Sequence, residues 1–500
     1  MNIARNLEQS ALCFPDRPAV SEGSIETSYA RLNEKASLVA GALVVSGVKP
    51  GDHIALCAPN SLEWIAFYYG VLKTGAVAVT LSSMLKRDEL SLLVSHSRPR
   101  IIYTFDEKLP DLEEFRGSDW LEKIISPHGD MDFDELSGMG TASFPSIDRD
   151  RSDTAAILYT GGTTGIPKGV MLSHENINTA IQSVVFHERS SEKDRGLLFL
   201  PLNHVFGQMH IMNATILSSG CLEMIPTFDM ERVLQLMANG CVTKLFAVPT
   251  LYVRLLAEEG LREKLGAVRY CFSAAASMAA EVVKQWKEQT GLSIYESYGM
   301  TESASMVTYN HYHRHVVGSV GTAVTGAEVQ IRDESGSPVK TGERGEICIR
   351  ARNIMKGYLN NPEANEGAFW EGREWFRSGD IGLLDENGYL FIVDRLKDMI
   401  ITGGENVYSR EVEEVLYTRP EIQECAVIGL PDREWGERVA AFITLKAGTS
   451  LEKDELRSYL KSRLATFKVP KDYMIVDDFP RSPAGKLLKR ELKKQFSEKP

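Results

Sequence analysis

Short β-rich runs alternate with amphipathic helical segments through the first four fifths of the chain. "HIALCAP" precedes "SLEWIAFYYGVLKTG", then come "AVAVTL", "KRDELSLLVSHS" and "RIIYTF", and the same rhythm returns in "VTKLFAV", "TLYVRLLAEE", "VRYCFSA" and "AAEVVKQWKEQTG". Strands separated by helix-length segments cannot close as hairpins, so the pattern predicts βαβ units stacked around largely parallel sheets. From about residue 325 the rhythm changes to strands and Gly- and Asp-rich turns, as in "EVQIRDESGSPV", "GEICIRA" and "DENGYLFIVDR". After "DRLKDMIITGGENV" a smaller α+β pattern begins, with helices "SREVEEVLYT" and "EKDELRSYLKSRL" and strands "ECAVIGL" and "AAFITLK". The 500 residues exceed what one core usually serves, and a boundary falls between Arg395 and Asp398, giving segments 1–395 and 396–500. The last residues, "KKQFSEKP", read as frayed.

Charge and cysteine content narrow the function. With 56 basic against 68 acidic residues the net charge is -12, which disfavours nucleic acid as a partner. The seven cysteines are scattered and never form Cys-x-x-Cys, which suits a reducing cytoplasm and neither a disulfide framework nor a zinc site. No signal peptide is expected, and "WIAFYYGVLKTGAVAVTL", broken by Lys73 and glycines, reads as a buried helix running into a strand and not as a membrane span.

One stretch points to chemistry. "LYTGGTTGIPKGV", 158–170, packs four glycines, three threonines and a lysine into thirteen residues between the strand candidate "AAILYT" and the helix candidate "SHENINTAIQSVVF", with Ser173 placed to cap that helix. Converging backbone N–H groups, threonine hydroxyls and the Lys168 ammonium suit a polyphosphate. It is not a Walker A loop, because Lys168 stands between Pro167 and Gly169, with no Gly directly before it and no Ser or Thr directly after. On the loop alone, a plain glycine turn stays open.

The loop resembles the phosphate loop of the adenylate-forming enzymes, the superfamily of acyl-CoA synthetases, nonribosomal adenylation domains and beetle luciferases. Further motifs follow in that family's order: "PLNHVFG" (201–207), "ESYGMTE" (296–302), "RSGDIG" (377–382), "DRLKDMIITGGENVYSREVE" (394–413) and "PRSPAGKLLKREL" (480–492). The resemblance covers nearly the whole chain, and among these enzymes it is nearest to an AMP-forming acyl-CoA synthetase. It implies an α/β fold: a large N-terminal domain of stacked βαβ layers plus a distorted β-barrel-like part, and a small mobile α+β C-terminal domain. It implies ATP, CoA and Mg2+, with a small-molecule carboxylic acid as the remaining substrate, no integral membrane contact, and a monomer or homodimer.

Residue by residue, the resemblance implies that Thr160, Gly161, Gly162, Thr163, Thr164 and Lys168 hold the β and γ phosphates, Thr301 touches the α-phosphate, and Glu302 is the metal ligand. Asp380 would accept both ribose hydroxyls with Arg395 assisting, while Tyr298, next to Ser297 and Gly299, lies against an adenine covered from the other side by Ala275 and Ala276. Lys486 would swing in during adenylation, Lys397 would mark the hinge, and Gly403, Gly404, Glu405 and Asn406 would replace Lys486 beside the pantetheine arm for thioester formation. Ser409 stands where "GGENVYPRE" has proline. His204 is expected to gate or position and not to act as a base, and His311, His313 and His315 read as a solvated connection.

Positions bordering the acyl group in relatives correspond to His204, Phe206, His210, Phe272, Ala274, Ser297, Ala304 and Ser305. No aspartate stands near "HVFGQMH" to meet an amino group, and Ser297 replaces a glycine common in fatty-acid and coumarate relatives. The expected substrate is therefore a compact apolar acid, medium-chain or cyclic/aromatic, in a reaction open to either direction; loading of a carrier protein is the alternative.

Overall fold

The computed structural model of the protein describes residues 1–160, 167–276, 278–482 and 485–497. Two seven-stranded sheets organise the large N-terminal part. The first runs in the order Ile294–Glu296, Tyr270–Ser273, Lys244–Ala247, Arg195–Leu198, Cys221–Met224, Pro18–Glu22 and Ile25–Ser28, parallel except for the last pair. The second runs Gly357–Tyr358, Lys168–Ser173, Thr154–Thr160, Val77–Thr80, His53–Cys57, Ile101–Thr104 and Lys123–Ile125, parallel from Thr154–Thr160 onward. Strands such as "VAVT" and "IIYT" are buried along their whole length, as parallel strands covered on both faces must be.

The stretch that looked most like a membrane span is the helix Leu62–Lys73 followed by the strand Val77–Thr80. It packs with Tyr29–Val45 in a core to which both sheets contribute. Because this helix is buried from Trp64 to Lys73, the Lys73 ammonium must find partners inside: Glu8 at 2.6 Å and the Phe144 carbonyl at 3.0 Å. Among the described residues no helix is long and apolar enough to cross a membrane.

The third part is antiparallel. Ala327–Arg332, Gly345–Ala351, Trp375–Leu384 and Phe369–Trp370 pair in that order, and Leu390–Arg395 adds to Trp375–Leu384. Irregular register at Glu346/Cys348 and Ile381/Gly382 curls this sheet, which is the barrel-like part of the expectation.

From Ile400 onward the small domain has its own sheet, Glu405–Val407, Ile400–Thr402, Gly436–Leu445 and Ile422–Asp432, with Asp472–Ile475 parallel to Gly436–Leu445. Helices Ser409–Tyr417 and Lys453–Lys461 cover one face through Val412, Leu416, Leu456 and Leu460, forming a core separate from the large part. The other face is covered by the helix Lys489–Ser497, which corrects the reading of the tail as frayed for "KKQFS"; residues 498–500 lie outside the described residues. Leu492 is buried, Phe496 meets Phe442 with ring centroids 4.7 Å apart, and Lys493 bonds Glu437 at 2.7 Å. A four-residue apolar spacing holds this tail down.

Candidate active site

The antiparallel sheet sets the first group. Asp380 and Arg395 are direct cross-strand partners, and the Arg395 Nε lies 3.4 Å from Asp380 Oδ1. The other carboxylate oxygen accepts a 2.6 Å hydrogen bond from the buried Tyr298 hydroxyl. Burial, and then the neighbouring Asp380 charge, push the Tyr298 phenol well above its ordinary pKa, so it stays a donor. Asp380 lies within the strand Trp375–Leu384, with Gly379 beside it at φ +71°.

The "YGMTE" residues make a tight corner. Gly299–Met300 pairs with Ser305–Met306, and Thr301 to Ser303 form the single 3-10 turn between them. A Cβ on Gly299 would sit 1.9 Å from the Ser305 carbonyl oxygen, so only glycine fits this crossing. Ala304 closes the corner at φ +54°, and Ala275 stands at φ +71°, both left-handed conformations costly for a side chain with a Cβ. Thr301 is buried and Glu302 half-buried. The Glu302 backbone carbonyl accepts from Met355 N–H at 2.7 Å and Oε1 from the Tyr358 hydroxyl at 3.0 Å. Burial raises the Glu302 carboxyl, an effect the Tyr358 hydrogen bond and Arg395 partly offset.

Lys168 joins this corner through Tyr358, its ammonium lying 4.8 Å from the ring centroid. The sequence places only the glycine-rich loop between the strand "AAILYT" and the helix that Ser173 caps, and the structure adds a strand there. Lys168–Ser173 is a strand antiparallel to Thr154–Thr160, with Lys168 opposite Thr160, and the helix starts only at His174. Ser173 does cap it, accepting from Asn176 N–H at 3.0 Å. Gly161, Gly162, Thr163, Thr164 and Gly165 lie outside the described residues.

The C-terminal domain brings Lys486 within electrostatic reach of Arg395 and Asp380. Its loop is closed by Ser482 N–H donating to the Lys486 carbonyl at 2.8 Å, while Arg481 grips Glu424 at 2.6 Å and reaches across to the Thr250 hydroxyl at 3.0 Å. Gly485 lies so close to Val248 that a Cβ there would stand 3.3 Å from Cγ2. Desolvation and the like charges of Arg395 and Lys397 push the Lys486 ammonium down to about 7, against the pull of Asp380 and Asp398. Across the crevice, desolvation and then Lys486 push His204 down to about 4, so its ring is neutral near pH 7.

Phe206 and His210 lie on Phe206–Asn213, which is wound as a π-helix. Phe206 meets His210 edge-on with centroids 5.3 Å apart, and Phe272 stacks on His210 at 4.3 Å. Ser305 Oγ is 2.9 Å from His210 Nδ1, and the half-buried Ala274 and Ser297 and the buried Ala304 complete the set. The structure brings Phe206, His210 and Phe272 into mutual contact.

Gly403 and Gly404 are exposed and form a two-residue hairpin turn with φ of +60° and +85°, the left-handed pair that such a turn needs. That turn, with Glu405 and Asn406 beside it, packs near Trp435 of its own domain, and a Cβ on Gly403 would strike the indole at 2.6 Å. Ser409 starts the helix Ser409–Tyr417 and donates both its N–H and its hydroxyl to Asp394, beside Arg395; a proline there has no N–H to give. His311, His313 and His315 face Thr322, Arg189 and the Ile294 carbonyl respectively, and no group of three metal-ligating side chains occurs among the described residues. Tyr358, which links Lys168 to Glu302, escaped the sequence reading; the only trace of it is the "KGYLNNP" stretch that follows a strand.

Residues 7–359 match the family model described as AMP-binding enzyme, and residues 411–486 match the AMP-binding enzyme C-terminal domain. The chain is 32% identical to a long-chain-fatty-acid–CoA ligase of Bacillus subtilis, over 98% of this chain and 94% of that protein. It is 33% identical to a feruloyl-CoA synthase of Amycolatopsis, over 96% of each. Among solved structures, ATP-bound MatB from Rhodopseudomonas palustris superposes with a TM-score of 0.92 at 33% identity, covering 100% of this chain and 99% of that one. The apo form of the same protein gives 0.81 at the same identity and coverage, so the arrangement here is nearer to the ATP-bound one.

Proposed function

Since the chain belongs to the AMP-binding enzyme family, and within it to the CoA ligases, we propose that it joins a compact apolar carboxylic acid, medium-chain or cyclic/aromatic, to CoA through an acyl-adenylate. The observation that carries this reading is the convergence of Lys486 from the small domain with Asp380, Arg395 and His204 of the large one. In this reading residues 1–395 and 396–500 are the two moving bodies.

A carboxylate oxygen attacks the α-phosphorus of ATP and pyrophosphate departs; the CoA thiolate then attacks the acyl carbon and AMP leaves. The first step sets one anion against another, so positive charge must be concentrated at the reacting atoms. Lys486 serves the carboxylate and α-phosphate, Lys168 with Thr160 and the glycine-rich loop the outer phosphates, and Thr301 the α-phosphate. Asp380 takes the ribose, and Tyr298 with the Ala275–Ala276 backbone takes the base. Glu302 fits Mg2+, which is held by one or two carboxylates plus substrate phosphates, and the ion would neutralise charge on the leaving pyrophosphate. Lys397 is the hinge, and the exposed Gly403–Gly404 turn is the part that would exchange places with Lys486.

The decisive experiment incubates the protein with ATP, Mg2+ and a panel of acids, with and without CoA. AMP and thioester are expected; AMP without thioester moves the assignment to carrier loading, and ADP overturns it.

The depressed Lys486 pKa has a measurable sign. A solvated lysine titrates near 10.4 and the seated one at about 7, so between those values the seated state holds fewer protons. Seating the loop over an empty site thus releases a proton and becomes easier as pH rises from 7 to 10. Polyphosphate restores the charge, so ATP binding near pH 8 takes up a proton. Calorimetry in buffers of different ionisation enthalpy should show that uptake, and Lys486→Ala should abolish it.

Chain length tests the pocket. Ser297→Gly should raise kcat/KM for acids longer than about eight carbons by roughly tenfold relative to hexanoate, since each methylene admitted to an apolar pocket carries at least that discrimination. An unchanged ranking would count against Ser297 as a wall.

A further inference from the structure

Glu188 has no part in the nucleotide site, yet its side chain is only 1% exposed and it carries two partners. Oε2 accepts from the Lys244 ammonium at 3.1 Å, and Oε1 lies 2.6 Å from His210 Nε2. Beside a carboxylate, Nε2 must be the donor, which leaves Nδ1 to pair with Ser305 Oγ at 2.9 Å. The imidazole is thus held at both nitrogens, with its plane 30° from that of the stacked Phe272. Lys244 is itself fixed by the Ser190 hydroxyl at 2.6 Å and stands 3.7 Å from Asp194.

This is an unfavourable place for a carboxylate. Glu188 is the C-terminal cap of the helix His174–His187, where the helix dipole is negative, and burial alone would raise its pKa; Lys244 and His210 more than reverse that, leaving it lowered. A buried ion pair gains little over apolar packing, and its best-attested use is to fix one arrangement among several. What this pair fixes is the ring of His210.

We propose that Glu188 is a positioning residue for acid selection: by gripping His210 Nε2 it locks the imidazole against Phe272 as a rigid end wall, and so limits the enzyme to compact acids. This rests on the acyl site of the proposed function.

The test measures kcat/KM for hexanoate, octanoate, decanoate, dodecanoate and benzoate in wild type, His210→Ala, Glu188→Gln and Glu188→Ala. The paired variant Glu188→Ala with Lys244→Met removes both buried charges together and stands in if the single alanine variant does not fold. His210→Ala should raise the dodecanoate-to-hexanoate ratio about tenfold or more while KM for ATP stays within about twofold. Glu188→Ala, or the paired variant, should shift the ratio the same way, and Glu188→Gln, which keeps the acceptor, should restore the wild-type ranking. A wild-type ranking in His210→Ala overturns the wall. The same ranking in Glu188→Ala beside a shifted His210→Ala overturns the positioning, as does a Gln variant as permissive as the Ala one. A wild type that forms no adenylate with any acid would instead sink the underlying assignment.

Discussion

Exchanging Lys486 for alanine should slow acyl-adenylate formation by about 10²–10³-fold, the usual cost of removing one preorganised donor from a developing charge, and spare thioester formation from supplied acyl-adenylate within a few-fold. The split follows from where the lysine sits. It sits among the charges of Arg395 and Lys397 and is driven down to about 7 by desolvation and those like charges, so a bound polyanion would raise its protonated fraction. Under the proposed function, a group so placed would serve the phosphorus chemistry and have no job once pyrophosphate is gone. Its loop is seated independently, by Arg481 on Glu424 and Thr250, so the alanine variant should retain the fold. Pyrophosphate exchange into ATP reads the first half-reaction, and CoA consumption with preformed adenylate reads the second. Equal losses in both would mean that Lys486 only holds the two domains together.

How far the chain could be read before folding depended on distance along it. Ser173 capping a helix, the buried run from Leu62 to Thr80 and the strand–helix alternation are local patterns, and the structure contains each of them. The strand Lys168–Ser173 was hidden because "KGVMLS" is short and its pairing with Thr154–Thr160 is made across the glycine-rich loop. The π-helix at Phe206–Asn213 has no composition that separates it from an α-helix, since only the hydrogen-bond step changes. Tyr358 meets Glu302 from 56 positions away, and Lys244 meets Glu188 from 56 as well; neither pairing leaves a periodic trace. The tail helix is the instructive failure, because Leu488, Leu492 and Phe496 show the spacing plainly and the surrounding charge obscured it.

Replacing Asp380 with alanine should lower kcat/KM for ATP on the order of 100-fold, about 3 kcal/mol, as expected for losing two hydrogen bonds to an ionised acceptor. The carboxylate is held from two sides, by the Tyr298 hydroxyl at 2.6 Å and by Arg395 across the strand pair, so its orientation does not depend on ligand. Tyr298→Phe removes only one neutral donor from it and should cost about fivefold. Loss of activity alone would not separate ribose binding from damage to this corner, and deoxynucleotides do. If Asp380 accepts the ribose hydroxyls, 2′-deoxy-ATP and 3′-deoxy-ATP should each be about tenfold poorer than ATP for wild type and no poorer than ATP for Asp380→Ala, because the partner of the missing hydroxyl is already gone. The coupling energy of that cycle belongs to the contact itself and is insensitive to a general loosening. An equal deoxy penalty in both enzymes would show that the hydroxyls are read by some other group, and Asp380 would then act only by holding Tyr298 and Arg395 in place.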